Sequence, residues 1–144
     1  MAEANAAIIA EHIAGAPLAR LLGVALERVE PDTVVVRLPF RPAVTTVGDL
    51  VHGGAIGALI DVAATAAAWT GADLARAPRG TTVGLTINYL AGARGEDLRA
   101  TARVIQRGRS LIVCEVAVAG AERDVARALV TYKLDHAGAP DGGR

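Results

Sequence analysis

The chain has 144 residues, the length of one ordinary domain, and its 15 Lys+Arg balance its 15 Asp+Glu for a formal net charge of zero. That balance gives no electrostatic footprint for nucleic acid or for an anionic membrane surface, so neither partner is expected. Hydrophobic residues make up 52%, which excludes intrinsic disorder, yet only four residues are aromatic while 31 are Ala and 16 Gly, so the core must be aliphatic and packed backbone-close.

Residues 2–14 place Ile8, Ile9 and Ile13 at helical spacing among good helix formers, and Gly15 and Pro17 stop them; one short leading helix is expected within residues 1–19. Residues 22–30 and 33–38 read as two strands joined by the turn Glu30-Pro31-Asp32. A loop over 40–50 leads to His52-Gly53-Gly54, which opens the Ala-rich run AIGALIDVAATAAAWTGA. Its length and composition make residues 55–69 the clearest helix of the chain, stopped by Gly71. A second loop, 73–80, precedes four β-rich stretches at 81–90, 98–107, 110–119 and 125–134. Gly-containing turns separate them, and three hairpins of antiparallel sheet are expected. The Gly/Pro-rich residues 136–144 should fray. A helix apolar almost all round must be covered on most sides. The fold expected is therefore α+β, a single domain over 1–144 in which a curved antiparallel sheet wraps a long central helix.

Several chemistries are excluded. A lone cysteine, Cys114, rules out a disulfide scaffold or a thiolate zinc cluster, and it reads as a core thiol. His12, His52 and His136 lie far apart without metal-ligand spacing, so no metal is expected. Gly53-Gly54-Ala55-Ile56-Gly57 lacks dinucleotide-binding spacing, and no G-x-S-x-G occurs. Glu3 and Glu11 precede the first basic residue, Arg20, unlike a signal peptide. Asp61 interrupts the longest apolar run, which is shorter than the roughly 20 residues that span a bilayer. A soluble, cytoplasmic protein is expected.

Asp61 is the informative residue. An ionised carboxylate inside an apolar helix costs several kcal/mol unless it is paired or faces a wet cleft, and no Arg or Lys lies between Val47 and Leu74 to pair with it locally. It is read as functional, against a structural carboxylate bonded to backbone or to a distant Arg. At the start of the same helix, the first N–H groups lack intrahelical partners, and Gly53 and Gly54 let a substrate oxygen approach them as an oxyanion site. Gly54 and Asp61 are seven residues apart, on one helix face but separated by roughly 10 Å of rise. A base must come within about 3 Å of its target. One chain cannot easily use both, whereas two helices antiparallel across a two-fold axis bring Asp61 of one chain to Gly54 of the other, so a homodimer is required. Thr65, one turn beyond Asp61, either orients a water or back-bonds to the Asp61 carbonyl. Thr82 and Thr46 are further candidates to line the cleft. Arg107, Arg109 and Ser110 in a tight turn, joined by Arg94 from a neighbouring chain, offer donors for phosphates; solvated arginines are the competing reading.

The string Val51-His-Gly-Gly-Ala-Ile-Gly-Ala-Leu-Ile-Asp61-Val-Ala, followed by Thr82-Val-Gly-Leu-Thr-Ile-Asn-Tyr-Leu90, resembles the hotdog-fold thioesterases of the PaaI-like (phenylacetic-acid-degradation) type over roughly residues 20–135. The resemblance implies a helix gripped by a sheet and a dimer that pairs into a tetramer. It implies that the Gly53 and Gly54 N–H groups polarise a thioester carbonyl, that His52 shapes the loop, and that Asp61 of the partner chain is nucleophile or general base. Thr65 matches a water-orienting Thr of some members and Thr82 a Ser/Thr of others. Many relatives carry Asn or Gln where Thr46 stands, and Thr46 offers no amide. The activity so implied is hydrolysis of an aryl- or fatty-acyl-CoA thioester, with no cofactor beyond the CoA half of the substrate. A hotdog enoyl-CoA hydratase or dehydratase, and a non-catalytic acyl-CoA-binding protein, are the alternatives.

Overall fold

In the computed structural model, which describes residues 1–138, the chain opens with α1 (Ala2–Ile8), continued by a π-helical stretch, Ile9–Ile13. The expected strand from residue 22 is corrected here. Pro17 occupies the first helical position, where its missing N–H costs nothing and its φ is already helical, so it starts a second helix, α2 (Pro17–Leu22), as well as ending the first. Gly23 closes α2 with a left-handed φ of 79°, which glycine adopts without strain, and β1 begins only at Ala25.

The strands β1 (Ala25–Glu30), β2 (Thr33–Leu38), β3 (Arg79–Tyr89), β4 (Leu98–Arg107), β5 (Leu111–Ala119) and β6 (Asp124–Asp135) form one sheet in the order β1-β2-β4-β5-β6-β3. Every neighbouring pair is antiparallel. The expectation of three successive hairpins fails at the first. β3 does not pair with β4; it crosses to the outside of β6, and β4 inserts between β2 and β5. The segment 90–97 is a crossing strap pinned to the loop before the central helix, with the Val51 N–H donating to the Ala93 carbonyl at 2.9 Å and the Gly95 N–H to the Asp49 carbonyl at 3.0 Å.

Register shifts at Leu26/Arg28, Thr82/Gly84 and Val104/Gln106 bend the sheet. It curls around α3 (Gly53–Trp69), whose Ala63, Ala64, Ala66, Ala67 and Ala68 are all at 0% exposure. Small side chains are what allow strands to approach the helix on so many sides. The last carbonyls of α3 lack intrahelical partners and are met by side chains. Asn5, the buried polar residue of α1, donates from Nδ2 to the Trp69, Thr70 and Ala72 carbonyls at 2.9, 3.1 and 2.9 Å. Arg107 donates to the Ala68 carbonyl at 3.1 Å. No helix among the described residues is long and apolar enough to cross a membrane. The expected fraying does not start at residue 136: His136 Nε2 accepts from the Asp73 N–H at 3.0 Å and the Ala137 N–H donates to the Arg76 carbonyl at 2.7 Å. Residues 139–144 of that tail lie outside the described residues.

Candidate active site

α3 is buried on most sides, but Gly54, Gly57, Ala58, Asp61 and Thr65 form a face that is only partly covered. These residues recur at three- and four-residue spacing, so they line one side of the helix. Asp61 sits in the middle of it. Its Oδ1 accepts a hydrogen bond from the Thr82 hydroxyl of β3 at 2.7 Å, and among the described residues no cation pairs with it. Thr82 thus holds one carboxylate oxygen, and Oδ2 has no hydrogen-bond partner among the described residues. Thr65 makes no back-bond to the Asp61 carbonyl, in contrast to Thr70, whose hydroxyl donates to the Ala67 carbonyl at 2.7 Å. Tyr132, directly opposite Thr82 on β6, is 4% exposed and accepts from Trp69 Nε1 at 2.8 Å. Burial, and to a smaller degree the negative charge of Asp61, push the Tyr132 phenol above its ordinary value, while the Trp69 hydrogen bond pulls it down.

At the N-terminus of α3, His52 is the N-cap residue. Its Nδ1 accepts from the Gly54 N–H at 2.8 Å, so the unprotonated nitrogen of the ring is assigned as Nδ1. The Gly54 N–H is therefore already engaged. The Gly53 N–H has no hydrogen-bond partner within the chain among the described residues. Between the two expected donors, the free one is Gly53. Above this turn lies Tyr89 of β3, whose hydroxyl donates to the Gly53 carbonyl at 2.8 Å. Tyr89 stands in the Thr82–Leu90 string but carries no signal in the sequence that marks it as a site residue.

The remaining sequence candidates are dispersed. Thr46 is exposed at the base of a turn that its N–H closes by donating to the Leu50 carbonyl at 2.8 Å. Arg94 pairs with Asp49 at 3.0 Å beside that loop. Arg107 stands at the opposite end of α3, about 20 Å of helix away from Gly53, with its guanidinium on Asp32 at 2.6 Å and on the Ala68 carbonyl at 3.1 Å. A side chain on Gly71 would run into that guanidinium, within 2.6 Å. Arg109 in the same turn is exposed and forms no ion pair among the described residues, and the Ser110 carbonyl accepts the Leu134 N–H at 2.7 Å. Cys114 lies at 0% exposure against α3, and burial pushes its thiol up to about 11, with the Arg107 charge opposing.

β3 is an edge strand, and Val83, Leu85, Tyr89 and Leu90 on or just after it are 54%, 42%, 53% and 57% exposed. An unpaired, largely apolar edge beside the partly open face of α3 is the kind of surface that associates.

Comparison with known proteins gives the chemistry a context. Residues 48–126 match the family model described as the thioesterase superfamily. A candidate esterase of Halobacterium salinarum is 32% identical over 120 residues, covering 81% of this chain and 79% of that protein. The crystal structure of a thioesterase family protein from Silicibacter pomeroyi superposes with a TM-score of 0.85 at 25% identity, covering 92% of this chain and 98% of the other. A hypothetical thioesterase protein from Streptococcus pneumoniae, solved with coenzyme A, shares the fold with a TM-score of 0.70 at 22% identity, covering 81% of this chain and 89% of that one.

Proposed function

We propose, from the premise that this chain belongs to the thioesterase superfamily and is a thioester hydrolase, that its substrates are acyl esters of coenzyme A and that each site is shared by two protomers. The observation that carries the proposal is a division of labour along α3: a free Gly53 N–H at its start and a Thr82-held carboxylate at Asp61, eight residues on. Eight residues are about 12 Å of helix, too far for both to act on one carbonyl in the same chain. Two α3 helices set antiparallel across a two-fold axis put each Asp61 beside the partner protomer's Gly53. Gly54, Gly57 and Ala58 let the helices come close there, and the exposed edge of β3 extends the contact. A dimer completes the chemistry, and a tetramer built from two such dimers carries four sites.

In each site the thioester oxygen takes the Gly53 N–H, at the positive end of the helix dipole. Asp61 of the other protomer either removes a proton from water as it attacks or attacks the acyl carbon itself. Both routes pass through a tetrahedral oxyanion at the same N–H. The C–S bond then breaks, and the sulfur leaves as thiolate and takes a proton to give CoA; the water route yields the free acid directly, whereas attack by Asp61 leaves a mixed anhydride that water hydrolyses in a second step, freeing the acid and restoring the carboxylate. Thr65, with an uncommitted hydroxyl one turn from Asp61, is placed to hold the water.

The antiparallel arrangement also gives the CoA half a path. The chain that contributes Asp61 carries its β4–β5 turn near Ala68 of its own α3, about 10 Å beyond Asp61. That turn therefore projects past the helix start of the other chain. Arg109 and Ser110 of one protomer and Arg94 of the other flank the exit and suit phosphates. Arg107, whose donors are taken, holds the turn in place. The coenzyme A found in the Streptococcus pneumoniae relative supports this class of ligand. The test is thiol release from a panel of aryl- and alkyl-CoA esters by Asp61→Asn: a folded oligomer with no turnover is expected, and retained turnover removes the assignment. Enoyl-CoA hydration without thiol release would point instead to the hydratase chemistry.

A further inference from the structure

We propose that Tyr89 is a positioning residue of the oxyanion site, fixing together with His52 the Gly53–Gly54 peptide so that the Gly53 N–H faces the cleft. The inference rests on the reading of the α3 N-terminus given above and deepens it. The carbonyl and the N–H of one peptide group are held from opposite ends: the Gly53 oxygen accepts from the Tyr89 hydroxyl at 2.8 Å, and the Gly54 N–H donates to His52 Nδ1 at 2.8 Å. Gly-Gly is the backbone pair with the widest conformational choice, and it sits in the first turn of a helix, where backbone hydrogen bonds are fewest. Two side-chain bonds on one peptide remove that freedom. The peptide before it is polarised as well. The His52 carbonyl accepts from the Ala55 N–H at 3.0 Å and the Ile56 N–H at 3.2 Å, and a peptide whose oxygen is doubly engaged donates more strongly from its nitrogen, here the Gly53 N–H.

The Tyr89 ring lies directly over Gly53 and Gly57, at ordinary contact distance. A Cβ on Gly53 would lie 3.4 Å from the ring, and one on Gly57 3.8 Å from the phenol oxygen. A purely structural strut between β3 and α3 would show itself in stability. A clamp that sets the direction of the Gly53 N–H shows itself in the step where negative charge develops.

Tyr89→Phe keeps the ring and deletes the hydroxyl. In the full-length oligomer, the expected result is that kcat and kcat/KM for an acyl-CoA ester fall together by about tenfold, with KM within about twofold and the unfolding midpoint and oligomeric state unchanged. The carbonyl carbon resonance of Gly53 should move upfield as its hydrogen bond is lost. Wild-type kcat overturns the proposal, as does a raised KM at constant kcat, which makes the phenol a substrate contact, or an unmoved Gly53 carbonyl resonance. A rate loss that only follows a loss of folded oligomer also overturns it. Asp61→Asn measured alongside separates two failures. Turnover by Asp61→Asn overturns the site itself and the clamp with it, whereas an inert Asp61→Asn beside a fully active Tyr89→Phe overturns the clamp alone.

Discussion

Replacing Thr82 by Val tests how much of the proposed chemistry depends on holding the carboxylate still. The change is nearly isosteric and removes one interaction, the hydroxyl donating to Asp61 Oδ1 at 2.7 Å. A hydrogen bond to a charged group is worth about 1.5–3 kcal/mol, and if that orientation is needed in the transition state its loss slows the reaction by about 10- to 150-fold. The expectation is a kcat at least about tenfold lower. The stability cost is about 1 kcal/mol, a fall of about 2–4 °C in the unfolding midpoint for a chain of this size. Thr82→Ser, which keeps the hydroxyl, should stay within about threefold of wild type. Thiol release from an acyl-CoA ester measures all of this. A Thr82→Val enzyme as fast as wild type would refute the idea that Thr82 orients Asp61.

The other predictions concern the frame around the site. Arg107→Ala should cost about 2 kcal/mol in thermal unfolding, because the Asp32 pair and a cap on the α3 carbonyls go together, whereas Arg109→Ala should leave stability alone and raise KM for CoA esters; the reverse pattern would overturn the division between the two arginines. Cys114 sets an alkaline limit. The unfolded thiol ionises near 9.0 and the native one only near 11, so above pH 9 the unfolded chain sheds a proton that the folded chain keeps. Stability then falls as pH rises, by about 2 kcal/mol at pH 11. Cys114→Ala should flatten that decline in urea melts run from pH 8 to pH 11, and an equal slope in both proteins would show that another group causes it.

The parts of this fold that are local were legible in the sequence. An Ala-rich run with one acid at its centre announces α3, and an acid without a local partner announces Asp61. Two glycines after a histidine mark a helix start with accessible donors. What escaped was non-local or depended on a single extra residue. Nothing in residues 79–89 says that their partner is β6 rather than the next strand, because that pairing is set by where the strap over 90–97 is anchored. Tyr89 was missed for a related reason. Thr82 pairs with Tyr132 facing the helix, and strict alternation from there puts Asn88 inward and Tyr89 outward. The bulge at Val83 inserts one residue and reverses the faces, so that Leu85, Ile87 and Tyr89 turn toward α3. Pro17 reads as a stop, and only the structure shows that it also begins α2. Asn5 is an ordinary helix residue by sequence, and its role as the cap of α3 appears only when the C-terminus of that helix arrives beside it.

The central claim is that each site takes its N–H from one protomer and its carboxylate from the other, and mixing two crippled chains tests it most directly. Gly53→Pro deletes the free N–H at a first helical position that tolerates proline, after a His52 already in the extended region at ψ 133°. Asp61→Asn deletes the base. Each variant alone should lose turnover by at least about 100-fold. When the two are unfolded together and refolded in equal amounts, half the dimers should be mixed and each mixed dimer should hold one intact site, restoring about a quarter of wild-type activity. Recovery near that level is the predicted result; no recovery in demonstrably mixed dimers would contradict the shared site.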